Sequence, residues 1–169
     1  GANAYVYWYM IAHWAFIGTG ESQYQPGNDY GKLLRRGYVM SHFSKNITGS
    51  TRLGSKASVH VGTNSAFQAS AYIKGDSLIV MAIDTTKNAF DLRLNLPYKV
   101  KSGIHWLSTS DKNCEKLPIE MSESAQTITV NLPARSLNTY IFQIDREASG
   151  ISELPVSTPE TTSVYYDIH

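Results

Sequence analysis

From Arg52 to Asp145 the chain divides into short runs of apolar and β-branched residues, separated by turn-forming clusters. This regularity restricts the fold more than any other feature. "FQASAYI" and "SLIVMAI" flank Lys74-Gly75-Asp76, a tight hairpin signal. "AFDLRLNL" alternates apolar and polar residues, as a strand with one buried face must. "GIHWLST", "KLPIEM", "TITVNL" and "SLNTYIFQI" follow, each bounded by polar breaks. Many short strands at regular spacing predict an antiparallel β-sandwich over residues 49–145.

The residues before this region follow another pattern. "NAYVYWYM" is β-branched and aromatic, and Tyr5 to Met10 reads as a buried strand. Gly18 to Asn28 is rich in Gly, Ser, Gln and Pro and reads as a long loop. Leu33 to Ile47 then reads as a helix, with Leu33, Met40, Phe43 and Ile47 on one face and Thr48-Gly49-Ser50 as its stop. Strand, loop and helix make the βα unit of a parallel sheet, which cannot stand alone because one strand leaves its backbone groups unpaired. Residues 1–48 are therefore expected to be one unit and 49–145 another. "REASGISELPVSTPETT" reads as a linker over 146–163, and "SVYYDIH" turns strand-like over 164–169.

Composition excludes several functions. The chain has 169 residues, 42% of them hydrophobic, enough for a real core. The net charge is +1 with 17% charged residues, and the densest basic spot is Lys32, Arg35 and Arg36. A nucleic-acid partner is not expected without a basic face. A membrane partner is not expected either, because no apolar run approaches the roughly 18–20 residues of a spanning helix. Cys114 is the only cysteine, so neither an internal disulfide nor a multi-thiolate zinc site is possible.

Candidate chemistry is sparse. His13, His42, His60, His105 and His169 show no metal-ligand spacing, and no metal or cofactor is expected. His42 reads as a partly buried, hydrogen-bonded residue in mid-helix. Glu21, Asp29, Glu115, Glu120 and Glu123 are the carboxylates that paired acid–base work would draw on. None stands in an apolar setting that would raise its pKa, so no complete catalytic pair is expected in the chain. Trp8, Tyr9, His13 and Trp14 are the candidate substrate-binding residues. Flat rings stack on sugar faces, and these lie where a strand gives way to a loop, the functional face of a β/α barrel. The competing reading of Tyr5, Tyr7 and Tyr9 is packing, since aromatic residues serve cores more often than ligands.

At "NAYVYWYM", "YGKLLRRGYVMSHFSKNI", "FQASAYIKGDSLIVMAID" and "LPARSLNTYIF" the sequence resembles glycoside hydrolase family 30, and within it the glucuronoxylanase-type endo-β-1,4-xylanases. The resemblance runs from Asn3 to Ile144. It implies that Ala4–Met10 is the last strand and Leu33–Ile47 the last helix of a (β/α)8 barrel, followed by a side β-sandwich. It further implies a retaining xylanase whose catalytic Glu pair lies upstream of Gly1, so that this chain alone is expected to be inactive. Trp8 matches the tryptophan lining the subsite beside the scissile bond. Ala12 and Trp14 stand where the family carries the arginine and tyrosine of its glucuronate clamp, and an alanine cannot grip a carboxylate. The stretch from Phe16 to Tyr30 is an insertion relative to the short loop usual there. Arg35 and Arg36 match a basic position that reads as structural.

The expected partners are xylan or a related β-glycan and the missing N-terminal barrel portion. "SVYYDIH" resembles the start of C-terminal sorting segments of Bacteroides-like bacteria, which implies a secreted or cell-surface bacterial protein. Two alternatives are carried forward. One is a stand-alone carbohydrate-binding sandwich using Tyr72, Tyr98 or Trp106. The other is a different family 30 specificity, such as β-1,6-glucan.

Overall fold

The computed structural model describes residues 10–11, 15–20, 30–57, 67–152 and 163–168, with backbone alone for 55–57 and 163–168. Among these, one helix, α1 (Arg35–Asn46), precedes eight strands. They are β1 (Thr51–Ala57), β2 (Phe67–Lys74), β3 (Ser77–Asp84), β4 (Phe90–Ser108), β5 (Glu115–Ile119), β6 (Ala125–Leu132), β7 (Ser136–Ile144) and β8 (Ser163–Ile168). The fold is mainly β, as the alternating runs predict.

The strands form one sheet in the order β5-β4-β7-β3-β2-β1-β8. Pairing is antiparallel except between β1 and β8. β8 also pairs with β4, at Leu92 to Asn95, so β4, β7, β3, β2, β1 and β8 close into a ring. β6 joins β4 from Phe90 to Val100, across the strand from β7 and β8. The ring closes because β4 is long enough to serve two sets of partners. Its first part pairs with β6 and β8, and its second, from Val100 to Ser108, pairs with β7 and β5.

The sequence predicts two strands here, "AFDLRLNL" and "GIHWLST". The structure runs them together as 19 residues. Pro97 has no N–H to give a ladder, but it falls where registry is already lost: the pairing shifts between Asn95 and Val100 against β6, and between Val100 and Ser102 against β7. A bend there, as at a bulge, falls between the part of β4 paired with β8 and the part paired with β7.

The interior of the ring holds Leu78, Val80, Leu92, Leu94, Leu96, Tyr140, Phe142 and Ile144, all buried. Alternate residues of β3 and β7 point outward, where Ile79, Met81 and Leu137 gather Phe43 and Ile47 of the helix region, with Tyr72 and Ile141. β3 is thus covered on both faces. That explains its unbroken apolar run, since a strand buried on both sides need not alternate.

Helix α1 starts two residues later than the expected Leu33. Leu33 lies instead in a β-bridge with Ile17, and Leu34 takes the extended N-cap position. Of the expected apolar face, Phe43 and Ile47 meet the sheet, while Leu33 is 43% exposed. Met10, the last residue of the expected buried strand, is 65% exposed. Tyr5 to Tyr9 lie outside the described residues. Residues at the start of the expected linker form a turn on the sheet, with Arg146 paired to Asp76 and Ile151 packed against the interior.

Candidate functional site

The candidate site has two parts, the base of the long loop after Ile11 and the seat that holds α1 on the sheet. Helix α1 buries a polar rather than an apolar centre. His42 is fully buried. Its Nδ1 lies 2.8 Å from Thr139 Oγ1 on β7, and its Nε2 lies 2.9 Å from Ser108 Oγ on β4. Ser108 Oγ also accepts the backbone N–H of Cys114 at 2.8 Å. Ser41, one residue before His42, donates to the Tyr38 carbonyl at 2.7 Å and lies 3.4 Å from Cys114 Sγ. A neutral imidazole suits this seat, with one ring nitrogen donating and the other accepting. Burial, reinforced by the neighbouring His105, lowers the His42 pKa from 6.5 to about 4.

On the inner face, His105 Nε2 lies 2.8 Å from Asn138 Oδ1, and its ring stacks on Tyr140 with centroids 4.4 Å apart. Burial lowers its pKa too, against the opposing effect of the Asn138 bond. Arg35, in the first turn of α1, donates to the carbonyl oxygens of Thr109 and Ser110 beyond the end of β4. The basic residue the sequence marks as structural is therefore a clamp between helix and sheet.

The loop base is built from two chain segments laid against the helix. Ile17 bridges both Ile11 and Leu33, and Gly18 bridges Tyr30. The Gly18 N–H donates to Lys32 O at 3.0 Å, the Gly31 N–H to Gly18 O at 2.9 Å, and the Leu34 N–H to Phe16 O at 2.6 Å. Gly37 lets this assembly sit close to α1: a Cβ there would fall 2.4 Å from Leu33 Cδ1 and 3.3 Å from Phe16 O. Met10, Ile11, Tyr30 and Leu33 in these segments are exposed, as is Val39 on α1.

The four sequence-predicted substrate residues, Trp8, Tyr9, His13 and Trp14, lie outside the described residues, as do Ala12, Glu21 and Asp29. Glu115, Glu120 and Glu123 are exposed, and Glu115 is engaged by Lys112 at 2.6 Å. No cluster of three or more His, Cys, Asp or Glu side chains suited to a metal ion occurs among the described residues. No described helix is long and apolar enough to cross a membrane. The three aromatic residues of the carbohydrate-module reading are divided between the faces of the sheet, Tyr98 inside and Tyr72 and Trp106 outside. Tyr98 packs on the interior cluster, Tyr72 on the outer cluster beside the helix, and Trp106 is half-buried with Lys116 Nζ 5.9 Å from its ring centre.

Sequence reasoning found His42 but none of its partners. Ser108, Cys114 and Thr139 carry no local signal, because the network joins residues far apart in the chain. Asp84 was also missed. It is 1% exposed at the end of β3, with Oδ1 accepting the Thr86 N–H at 2.7 Å and Oδ2 without a partner. Its one visible signal is the Asp-Thr-Thr stretch, which favours a side-chain-to-backbone turn.

No family model matches the chain. It is 25% identical over 141 residues to the glucuronoxylanase XynC of Bacillus subtilis, an alignment covering 82% of this chain and 30% of that protein. The chain thus spans about a third of the length of the curated relatives it matches. Among solved structures, a GH30 endoxylanase from Clostridium papyrosolvens superposes with a TM-score of 0.56 at 24% identity, over 67% of this chain and 28% of that one. A family 30 subfamily 8 xylanase from Clostridium acetobutylicum gives a TM-score of 0.56 at 23% identity, over 67% and 29%. These two structures establish the shared fold of the β domain. The chain is homologous to glucuronoxylanase XynC and to the xylanases of glycoside hydrolase family 30, and corresponds to their C-terminal part.

Proposed function

We propose that the chain is the C-terminal part of an exported, retaining endo-β-1,4-xylanase, in which the β domain braces a (β/α)8 barrel and the segment around Trp8 forms one wall of the glycan cleft. The observation that carries this reading is the homology over 82% of the chain to one continuous third of a glucuronoxylanase. The geometry supports it in two ways. Met10, Ile11, Leu33 and Val39 present aliphatic surface at the loop base and on α1, suited to burial against the rest of a barrel. The described Glu115, Glu120 and Glu123 are solvent-exposed and are not cast as acid/base or nucleophile, roles assigned to the part of such an enzyme that this chain does not span.

In this reading the reaction is hydrolysis of β-1,4-xylosidic bonds through a covalent glycosyl-enzyme. Two carboxyl groups about 5–5.5 Å apart act, one as nucleophile and one first as acid and then as base. Trp8, Tyr9, His13 and Trp14 are assigned to sugar binding. Ala12 offers no guanidinium to a glucuronate branch, so cleavage does not depend on one.

The test is hydrolysis by the longer protein that carries this chain, compared with the chain alone. The longer protein cleaves both glucuronoxylan and unbranched xylan at similar rates, and the chain alone cleaves neither. Xylan turnover by the chain alone, surviving Glu21→Gln, defeats the proposal. So does a longer protein that cleaves β-1,6-glucan and leaves xylan intact.

A further inference from the structure

Among the exposed large hydrophobic residues described, Met10, Ile11, Leu33 and Val39 are aliphatic, with exposure from 38% to 65%. Tyr30 is 80% exposed and carries a hydroxyl. Its backbone is held firmly. It bridges Gly18, the next residue Gly31 donates to Gly18 O, and Gly18 donates to Lys32 O. Gly20 lies against its side chain, at a distance that would put a Cβ 3.4 Å from Tyr30 Cβ. Gly20 and Gly31 have φ of 79° and 68°, a conformation an L side chain resists, so both arms of the loop are set by glycines at this point. The arms are tied to α1 through the Leu34–Phe16 bond, and α1 is tied to the sheet through His42 and Arg35. A large aromatic ring is thus presented to solvent on a backbone held by these hydrogen bonds.

We propose that Tyr30 is a sugar-stacking residue that binds β-glycan in the longer protein that carries this chain. The proposal rests on the reading of the chain as part of a xylanase. A fixed aromatic platform with a polar tip binds a pyranose face without first losing conformational freedom.

The experiment uses the longer protein carrying this chain, as wild type, Tyr30→Ala and Tyr30→Trp. Mobility in native gels containing xylan or β-1,6-glucan measures binding, steady-state kinetics measure KM and kcat, and thermal melts control for structure. Tyr30→Ala is expected to weaken xylan binding roughly tenfold, the size of one stacked ring contact. KM rises with it, kcat stays within about twofold, Tm stays within about 2 °C, and Tyr30→Trp restores binding. Equal mobility of wild type and Tyr30→Ala on every glycan, including no retardation of either, overturns the proposal. So does a Tm loss of about 5 °C or more with equal loss on all substrates, which would mean that Tyr30 packs inside the protein. Glycan retardation of the wild type without hydrolysis would instead sink the xylanase reading, and the gels would still decide on Tyr30.

Discussion

Acidification should loosen the seat of α1, and the structure sets the size of the effect. His42 is buried with both ring nitrogens engaged, by Thr139 Oγ1 and Ser108 Oγ. Burial and the nearby His105 bring its pKa in the folded chain to about 4, against 6.5 for a free histidine. The unfolded chain therefore takes up the proton first as pH falls. The stabilisation is fully present above pH 6.5, declines between 6.5 and about 4, and falls no further below that. At about 1.4 kcal/mol for each pKa unit, the whole loss is about 3 kcal/mol. His105, also lowered by burial, adds to it in the same direction. Urea unfolding of the 169-residue chain at pH 7.5, 6.5, 5.5 and 4.5, followed by circular dichroism, measures this. Carboxylates titrate over part of that range, so the decisive comparison is with His42→Gln, which keeps an amide donor and acceptor in the seat but cannot protonate. That variant is less stable at pH 7.5 by about 1–3 kcal/mol, the cost of imperfectly met buried hydroxyls. It should also show a pH slope shallower by most of the 3 kcal/mol. Equal slopes for wild type and His42→Gln would refute the argument, because the titrating group would then lie elsewhere.

Three further outcomes follow from packing and exposure. Gly37→Ala places a methyl 2.4 Å from Leu33 Cδ1, so it destabilises by about 1–2 kcal/mol, and Leu33→Ala in the same chain recovers part of that in a double-mutant cycle read by urea unfolding. Gly103→Ala puts its Cβ 2.9 Å from the buried Phe142 ring and 3.0 Å from Ile119 Cδ1, and costs about 2–3 kcal/mol by the same assay because a packed ring cannot turn aside. Glu115→Gln, Glu120→Gln and Glu123→Gln, made in the longer protein, each leave kcat on xylan within about twofold, since these carboxylates face solvent.

Strand content was legible because burial on one face writes itself as alternation, and β2, β6 and β7 fall close to the expected runs. The separation of "AFDLRLNL" from "GIHWLST" expected from the sequence is overridden by the tertiary structure. A proline is excluded only where a ladder bond is required, and β4 changes partners at that point. The helix seat was legible only in His42, since a mid-helix histidine with apolar neighbours announces burial. Thr139 and Ser108 look like ordinary strand hydroxyls until β4 and β7 are laid side by side. Tyr30 was invisible for a different reason. Tyr24 and Tyr30 among polar residues show no periodicity, and the placing of Tyr30 depends on a bridge to Gly18 that no local pattern encodes. The substrate residues Trp8, Tyr9, His13 and Trp14 rest on resemblance alone, because they fall outside the described residues.

The two halves of β4 also predict how damage should be contained. β8 meets β4 at four positions, Leu92 to Asn95, and β1 at four, Gly54 to Ala57. Deleting residues 153–169 opens the ring there and leaves two unpaired edges. The lost hydrogen bonds are worth about 0.5–1.5 kcal/mol each, but six strand residues no longer have to be ordered at about 1–2 kcal/mol each, so the net change is a few kcal/mol at most. The helix seat lies beyond the bend, at His105 to Ser108 of β4 and Asn138 to Thr139 of β7, where the neighbours are β7, β5 and α1. Hydrogen exchange on the truncated chain should therefore quicken at 51–57 and 92–95 and stay slow at 103–108 and 138–141. If protection collapsed at 103–108 as well, the bend would not divide the strand, and the ring and the helix seat would have to unfold as one cooperative unit.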